Sequence, residues 1–430
     1  MLYASDHFGH SAMIQANMYC ISVAGQPGFF INMLEGIRSI IVRLCLCKDV
    51  VDEHHRNGRL RTADTLKGIL ILGVVFVHMF MLNQVDDTER SVPLLLQPLY
   101  ISLMGFFIIS GYFLPSGSTY FENIRKRSKL LIVLIICSIT LPIILYLWLC
   151  ALGQSPSLDD LWLSITSSLD IQNIFRPLDL ADPIKVCYSA YVHYFLWVMF
   201  WSFLIFYAVA ERVTSNRRLF VITILILIAA EAILIWIGIR LPFDATLIPI
   251  STSFMLSGAF ISKMDFLERL DSKELYSSHT WIPLMISVTL LIVLVYLFPP
   301  GVKFNFSYLG EYGGLSAFPF FVEGFLVFVI FAYMSAVLAR VPILSDFFVI
   351  CGRYSLALAV LHIFIVRMVL AVFYTLPTDT VFPPLSTVQI LALTFFDITV
   401  IVLLCMWVER RRSARIRGKG VSDTEVISNP

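Results

Sequence analysis

Residues 64–80, DTLKGILILGVVFVHMF, carry a carboxylate, an ammonium and an imidazole on one apolar stretch. Asp64 lies one turn before Lys67, and ten residues separate Lys67 from His78. On an α-helix that interval is close to three turns, so Lys67 and His78 share a face and stand about 16 Å apart along the axis. An imidazole titrates near neutral pH and can remove a hydroxyl proton or carry an acyl group transiently. Polar side chains in a membrane helix normally look into protein or a water-filled cavity, because facing lipid is expensive. Two readings follow. Lys67 is a headgroup anchor and His78 a buried, hydrogen-bonded histidine, or both line a reactive cavity.

Other stretches carry chemistry of the same kind. GFFIISGYF carries Ser110-Gly111 near its end, small residues that permit close helix packing. NIRKRSKLL follows it, with Arg125, Lys126, Arg127 and Lys129 within five positions. That cluster is either a basic membrane-surface anchor or a landing site for a phosphorylated ligand, since Arg and Lys neutralise and orient phosphate. SAYVHYFLWVMFW places His193 and Trp197 among tyrosines, which suits an interfacial aromatic belt or a sugar-stacking wall. GRYSLALAVLHIFIVRMV places His362 nine residues beyond Arg353, with Arg367 further out. Three histidines thus reach the outer half of the membrane. Glu231, Glu323 and Asp397 are intramembrane carboxylates, any of which can orient a histidine. The eight cysteines show no CxxC pair and no metal-ligand spacing; Cys150 and Cys187 flank one loop and are close enough in sequence to be bridged.

The elements that must position these residues follow from composition. The chain has 430 residues, 58% hydrophobic and 14% charged, far more apolar than one soluble core can bury. The apolar residues fall in blocks of the length that crosses the hydrocarbon core as a helix. Ten spans are predicted, near 65–82, 95–114, 130–151, 190–210, 219–238, 245–262, 281–299, 317–339, 354–376 and 386–408. Helices are the form that satisfies every backbone group in lipid, and barrel strands would be about half this length. The fold class is therefore an all-α polytopic bundle.

Lys and Arg concentrate before the first span and in every second loop thereafter, ending in the tail ERRRSARIRGK. The alternate loops are acidic or nearly free of basic residues, as at Asp86, Asp87 and Glu89. By the positive-inside rule both termini are cytoplasmic. Residues 1–58 are a cytoplasmic or interfacial extension, in which FFINMLEGIRSIIVRLCLC reads as an amphipathic surface helix unless translation starts later, for instance at Met33. Residues 409–430 read as a disordered basic tail. No metal site and no nucleic-acid-binding feature is read, and the loops leave no room for an appended catalytic domain.

Together these stretches resemble the membrane-bound acyltransferase-3 family, which includes O-antigen and exopolysaccharide O-acetyltransferases, over about residues 59–408. Lys67, ten residues and His78 are similar to the family's first-helix pattern of a basic residue, ten residues and histidine. FFIISGYF resembles its phenylalanine-rich FFxxSGF segment, and IRKRSKLL its basic third-helix opening. HYFLWVMFW resembles its LWFL helix, and GRYSLALAVLH its late GxxSxxxYxxH helix. Two departures are visible. Ser128 stands where an Arg-x-x-Arg pair would close, and Ala359 where the family often has tyrosine.

The resemblance implies a stand-alone O-acyltransferase in a bacterial inner membrane. It takes an acyl group, usually acetyl, from cytoplasmic acyl-CoA as co-substrate, with no bound cofactor. The acceptor is a hydroxyl of an extracytoplasmic glycan or lipid-linked saccharide. His78 is then the catalytic base or acyl carrier, with Lys67 and Asp64 beside it on the first helix. Arg125, Lys126, Arg127, Ser110 and Arg353 are candidates for binding acyl-CoA. His193, Trp197 and His362 face the acceptor. The rival class is a secondary transporter or flippase for a glycolipid, which ten helices with polar residues at mid-depth would also suit.

Overall fold

The computed structural model describes residues 60–82, 97–114, 119–168, 194–237, 242–272, 275, 277–297, 317–373 and 385–418. Among them every regular element is helical. Thirteen α-helices are described: α1 (Arg61–Leu82), α2 (Gln97–Tyr112), α3 (Tyr120–Ala151), α4 (Leu158–Ser168), α5 (Tyr194–Ser215), α6 (Arg217–Ile237), α7 (Ile248–Ser262), α8 (Phe266–Asp271), α9 (Ile282–Leu297), α10 (Ala317–Leu338), α11 (Pro342–Arg353), α12 (Ser355–Phe373) and α13 (Thr387–Gly418). Nine described helices are long and apolar enough to cross a membrane, and α2 is a shorter apolar helix in the place of the second span. The protein is an all-α polytopic membrane bundle. The N-terminal extension, the acidic loops, Cys187 and residues 419–430 lie outside the described residues.

Burial separates axis from rim. In α1, 78% of the apolar window is buried, against 17% in α6 and 6% in α9. A helix apolar on all sides and covered by protein belongs at the centre, and one whose apolar side chains are bare belongs against lipid. Accordingly Ile226 and Trp236 of α6, and Met285 and Tyr296 of α9, are exposed. The centre is α1 packed on α2, α10, α11 and α12, with α7 against α2.

Glycines set the closest crossings. A Cβ on Gly111 of α2 would lie 1.9 Å from the Met255 carbonyl oxygen, and one on Gly258 of α7 would lie 1.9 Å from that of Ile108. Only residues without a side chain let two backbones approach so far, the way small residues bring membrane helices together. Gly111 thus serves the α2–α7 contact.

Two elements differ from the sequence expectation. α3 starts at Tyr120, ten residues before the predicted span, because Thr119 and Glu122 form a capping box. Arg125, Lys126, Arg127 and Lys129 therefore stand on the first turns of a 32-residue helix rather than in a loop. The last helix does not end near 408. Its helical run continues to Gly418. The run WVERRRSARIR contains no Gly or Pro to stop it.

Candidate functional site

The site begins at a backbone contact. A Cβ on Gly68 would lie 2.0 Å from the Phe348 carbonyl oxygen, and one on Gly352 would lie 2.2 Å from that of Asp64. α1 and α11 can cross there only because both positions are glycine. From that crossing each chain runs ten residues onward, Gly68 to His78 along α1 and Gly352 to His362 through Tyr354 into α12. The equal offsets bring two histidines to the same height. Their rings are 5.1 Å apart at a 42° tilt, and His362 Nε2 lies 3.2 Å from His78 Nδ1.

The hydrogen bonds fix which nitrogen carries each proton. His362 is fully buried, and its Nδ1 is 2.8 Å from the Leu358 carbonyl oxygen one turn earlier. A carbonyl only accepts, so that Nδ1 bears the hydrogen. With both rings neutral, His362 Nε2 is then a lone pair and His78 Nδ1 the donor to it. The Val74 carbonyl, again one turn earlier, also hydrogen-bonds the His78 ring. What remains is His78 Nε2, unprotonated. A base held in one tautomer by a neighbour that accepts from its other nitrogen is the arrangement general-base histidines need.

His78 is partly buried and lines a small cavity. The other walls are Ile71 and Val74 of α1, Leu103 and Phe106 of α2, Phe195 of α5 and Ala359 of α12. All are apolar. Ala359 lies one turn before His362, so one face of α12 supplies both the second imidazole and a wall.

The other sequence-predicted residues lie elsewhere. Lys67 Nζ is 3.2 Å from Asp64 Oδ1 and sits over the Phe113 ring at 5.2 Å. That pair is about 16 Å from His78 along α1, so the shared face becomes two separate places on one helix. Ser110 is half-buried near the end of α2. Arg125 and Lys126 are exposed. Arg127 donates from Nε to the Tyr207 hydroxyl at 3.2 Å, and its guanidinium covers the Phe203 ring at 4.5 Å, which ties α3 to α5. Trp197 is buried within the bundle, and His193 lies outside the described residues.

Arg353 pairs with Glu409 at 2.5 Å, and the Tyr354 hydroxyl donates to the other Glu409 oxygen at 2.7 Å. Burial, and then the bond to Glu409, push the Tyr354 phenol well above its ordinary range, so it remains a donor. This latch joins the break between α11 and α12 to α13.

Among the described residues, none of the three intramembrane carboxylates bonds a histidine. Glu231 accepts from Ile250 N at 3.3 Å, at the start of α7. Glu323 and Asp397 are buried, with both Asp397 oxygens unpartnered among the described residues. The histidine partner of His78 is His362 instead.

Ion pairs and hydrogen bonds that no sequence motif announces gather at the Arg61 end of α1. Arg61 donates to Ser345 Oγ at 2.6 Å and pairs with Asp346 at 2.5 Å. Asp271 accepts from Thr62 N at 3.1 Å and from the Thr62 hydroxyl. The Tyr112 hydroxyl donates to Glu268 and accepts from Leu267 N at 2.9 Å. Acidic residues among the basic ones at that face were the available signal. The cavity walls gave none, since apolar residues within an apolar span are indistinguishable from lipid-facing ones.

Residues 61–408 match the family model of the acyltransferase-3 domain, an acyltransferase domain, over about four-fifths of the chain. No curated protein and no solved structure matches. The matched segment begins with the helix that carries His78 and ends in the helix that the Arg353 latch holds. The chain belongs to the acyltransferase-3 family of integral membrane acyltransferases.

Proposed function

We propose that this membrane acyltransferase moves an acyl group, acetyl in the first instance, from cytoplasmic acyl-CoA to a hydroxyl of an extracytoplasmic or lipid-linked glycan. The bacterial inner membrane is its proposed site, with both termini cytoplasmic. The observation that carries the reading is the His78–His362 pair, in which a buried imidazole holds the His78 ring through its Nδ1 and leaves Nε2 unprotonated.

In this mechanism His78 Nε2 takes the proton of the acceptor hydroxyl as its oxygen attacks the thioester carbonyl. The tetrahedral intermediate collapses, the carbon–sulfur bond breaks, and the departing CoA thiolate takes the proton back from the imidazolium. During that interval His362 Nε2 accepts from His78 Nδ1 and stabilises the positive ring. His362 is thus a positioning residue. Arg125 and Lys126 are exposed at the start of α3 and are proposed to meet the CoA phosphates, with Lys67 at the same mouth. The extended pantetheine arm carries the thioester inward from there. Arg127 and Arg353 are engaged by Tyr207 and Glu409, and in this reading they hold helices more than phosphate.

The test is genetic and chemical. The gene is deleted and restored as wild type or His78→Ala at equal membrane abundance, and mild-base-labile acyl esters on the envelope glycans are quantified. Wild type restores the esters and His78→Ala does not. Restoration by both would remove His78 from the mechanism. A change in glycan export without a change in ester content would favour the transporter class.

A further inference from the structure

We infer that the extension of α13 beyond Glu409 is a docking surface for anionic phospholipid headgroups, with Arg410, Arg411 and Arg415 as its contacts. Its role is independent of the acyl group that the histidine pair transfers.

Depth is the first support. Thr387 to Val408 of α13 rises about 33 Å at ~1.5 Å per residue, which matches the ~30 Å hydrocarbon core. Arg410 to Arg412 come about 3–6 Å later, within the headgroup layer where lipid phosphates lie.

The face is the second. Leu404, Trp407 and Val408 are exposed and stand one turn apart, on the side of α13 turned away from the bundle. Arg411 is exposed too, and its guanidinium lies over the Trp407 ring at 4.0 Å. That contact lays the arginine along the lipid-facing stripe, beside a tryptophan at the depth where indoles favour the interface. Arg415 holds the next position of the stripe, one turn further along the same helix. Arg410 is exposed next to Arg411.

Charge is the third. Between Asp397 and Gly418 the one carboxylate on α13 is Glu409. Arg353 pairs with it at 2.5 Å and the Tyr354 hydroxyl donates to it at 2.7 Å, so it is turned to the α11–α12 break. Arg410, Arg411, Arg412, Arg415 and Arg417 follow with no acid among them. A basic run directly beside a membrane-spanning helix binds anionic headgroups, each residue at the surface contributing about 5-fold. A soluble phosphate would meet the same guanidinium chemistry. The headgroup depth and the lipid-facing stripe favour phosphate that the bilayer itself supplies.

The experiment takes the full chain through detergent micelles containing equimolar phosphatidylglycerol and phosphatidylcholine, repurifies it and counts the retained lipids by mass spectrometry. Thermal unfolding is measured in parallel, in nanodiscs of phosphatidylcholine with and without phosphatidylglycerol. Wild type is expected to retain phosphatidylglycerol over phosphatidylcholine by about 5-fold or more, to lose that preference in high salt, and to melt higher in the anionic discs, since a ligand of the folded state stabilises it.

The triple variant Arg410→Gln, Arg411→Gln, Arg415→Gln is expected to lose most of the preference and to melt alike in both discs. A control, Arg212→Gln, Arg217→Gln, Arg218→Gln, removes as many charges from exposed positions on α5 and α6 and is expected to keep both effects. Equal melting of all three proteins in phosphatidylcholine alone shows that the substitutions spare the fold. No preference in wild type, an unchanged preference in the α13 variant, or equal loss in the two variants overturns the docking surface. Release of the retained phosphatidylglycerol by excess CoA overturns it as well, because the arginines would then serve a soluble phosphate.

Discussion

His78 and His362 differ in what each can do, and substitutions separate them. His78 lines the cavity, whereas His362 is fully buried between Leu358 and His78. His78→Ala removes the base and is expected to lower transfer by at least about 10²–10⁴-fold. His362→Ala leaves the base but not its partner. It is expected to lower kcat by about 10²-fold with little change in KM for acyl-CoA, and to alter the pH–rate profile. His362→Gln, which keeps an acceptor oxygen, should recover part of the loss. A purely packing role for His362 predicts equal effects of both substitutions and an unchanged profile, so steady-state kinetics across pH distinguish the two. The sequence showed both histidines, but not that they meet. A carboxylate partner was the natural expectation, and only the register of two helices distant in sequence puts an imidazole there.

At the scale of elements, helix crossings decide function. The Gly68–Gly352 contact sets the height at which α12 presents His362 to α1. Gly352→Val adds branched bulk where a Cβ alone would lie 2.2 Å from the Asp64 carbonyl oxygen. The expected result is a cost of about 1–3 kcal/mol, from over-packing a rigid contact, together with loss of transfer although both histidines remain. Thermal unfolding in detergent, measured beside activity, checks both. Gly111→Val at the α2–α7 crossing should destabilise by a similar amount but spare the histidine register, so residual activity per folded molecule should be higher. The Arg353–Glu409 latch is partly exposed, with side-chain exposures of 24% and 42%, so its worth in stability is about 1 kcal/mol or less. Glu409→Gln should therefore change melting little. Glycines were visible in the sequence at every one of these places, yet nothing in the sequence said which backbone each would meet.

Taken whole, the molecule is a bundle whose most buried long helix, α1, carries His78, surrounded by helices that show apolar side chains to lipid. The proposed orientation is testable at this scale. Single cysteines placed near Lys126 and in the α13 extension beyond Glu409 should both react with a membrane-impermeant maleimide only from the cytoplasmic side. Labelling of either from the outer side would invert or break the topology. The amino-acid sequence by itself determined the class of the protein. Apolar blocks of this length are satisfied in lipid as helices, since barrel strands would be about half as long. The Lys67-to-His78 interval, with the stretches that follow it, was enough to suggest the acyltransferase family. Apolar span boundaries were less legible, because a capping box and an unbroken basic run prolong α3 and α13 past their apolar lengths. Only the tertiary structure paired His78 with His362 and gathered a small apolar cavity from four helices. The physical reason is that hydropathy and charge act along the chain, whereas a tautomer and a cavity depend on contacts between residues hundreds of positions apart.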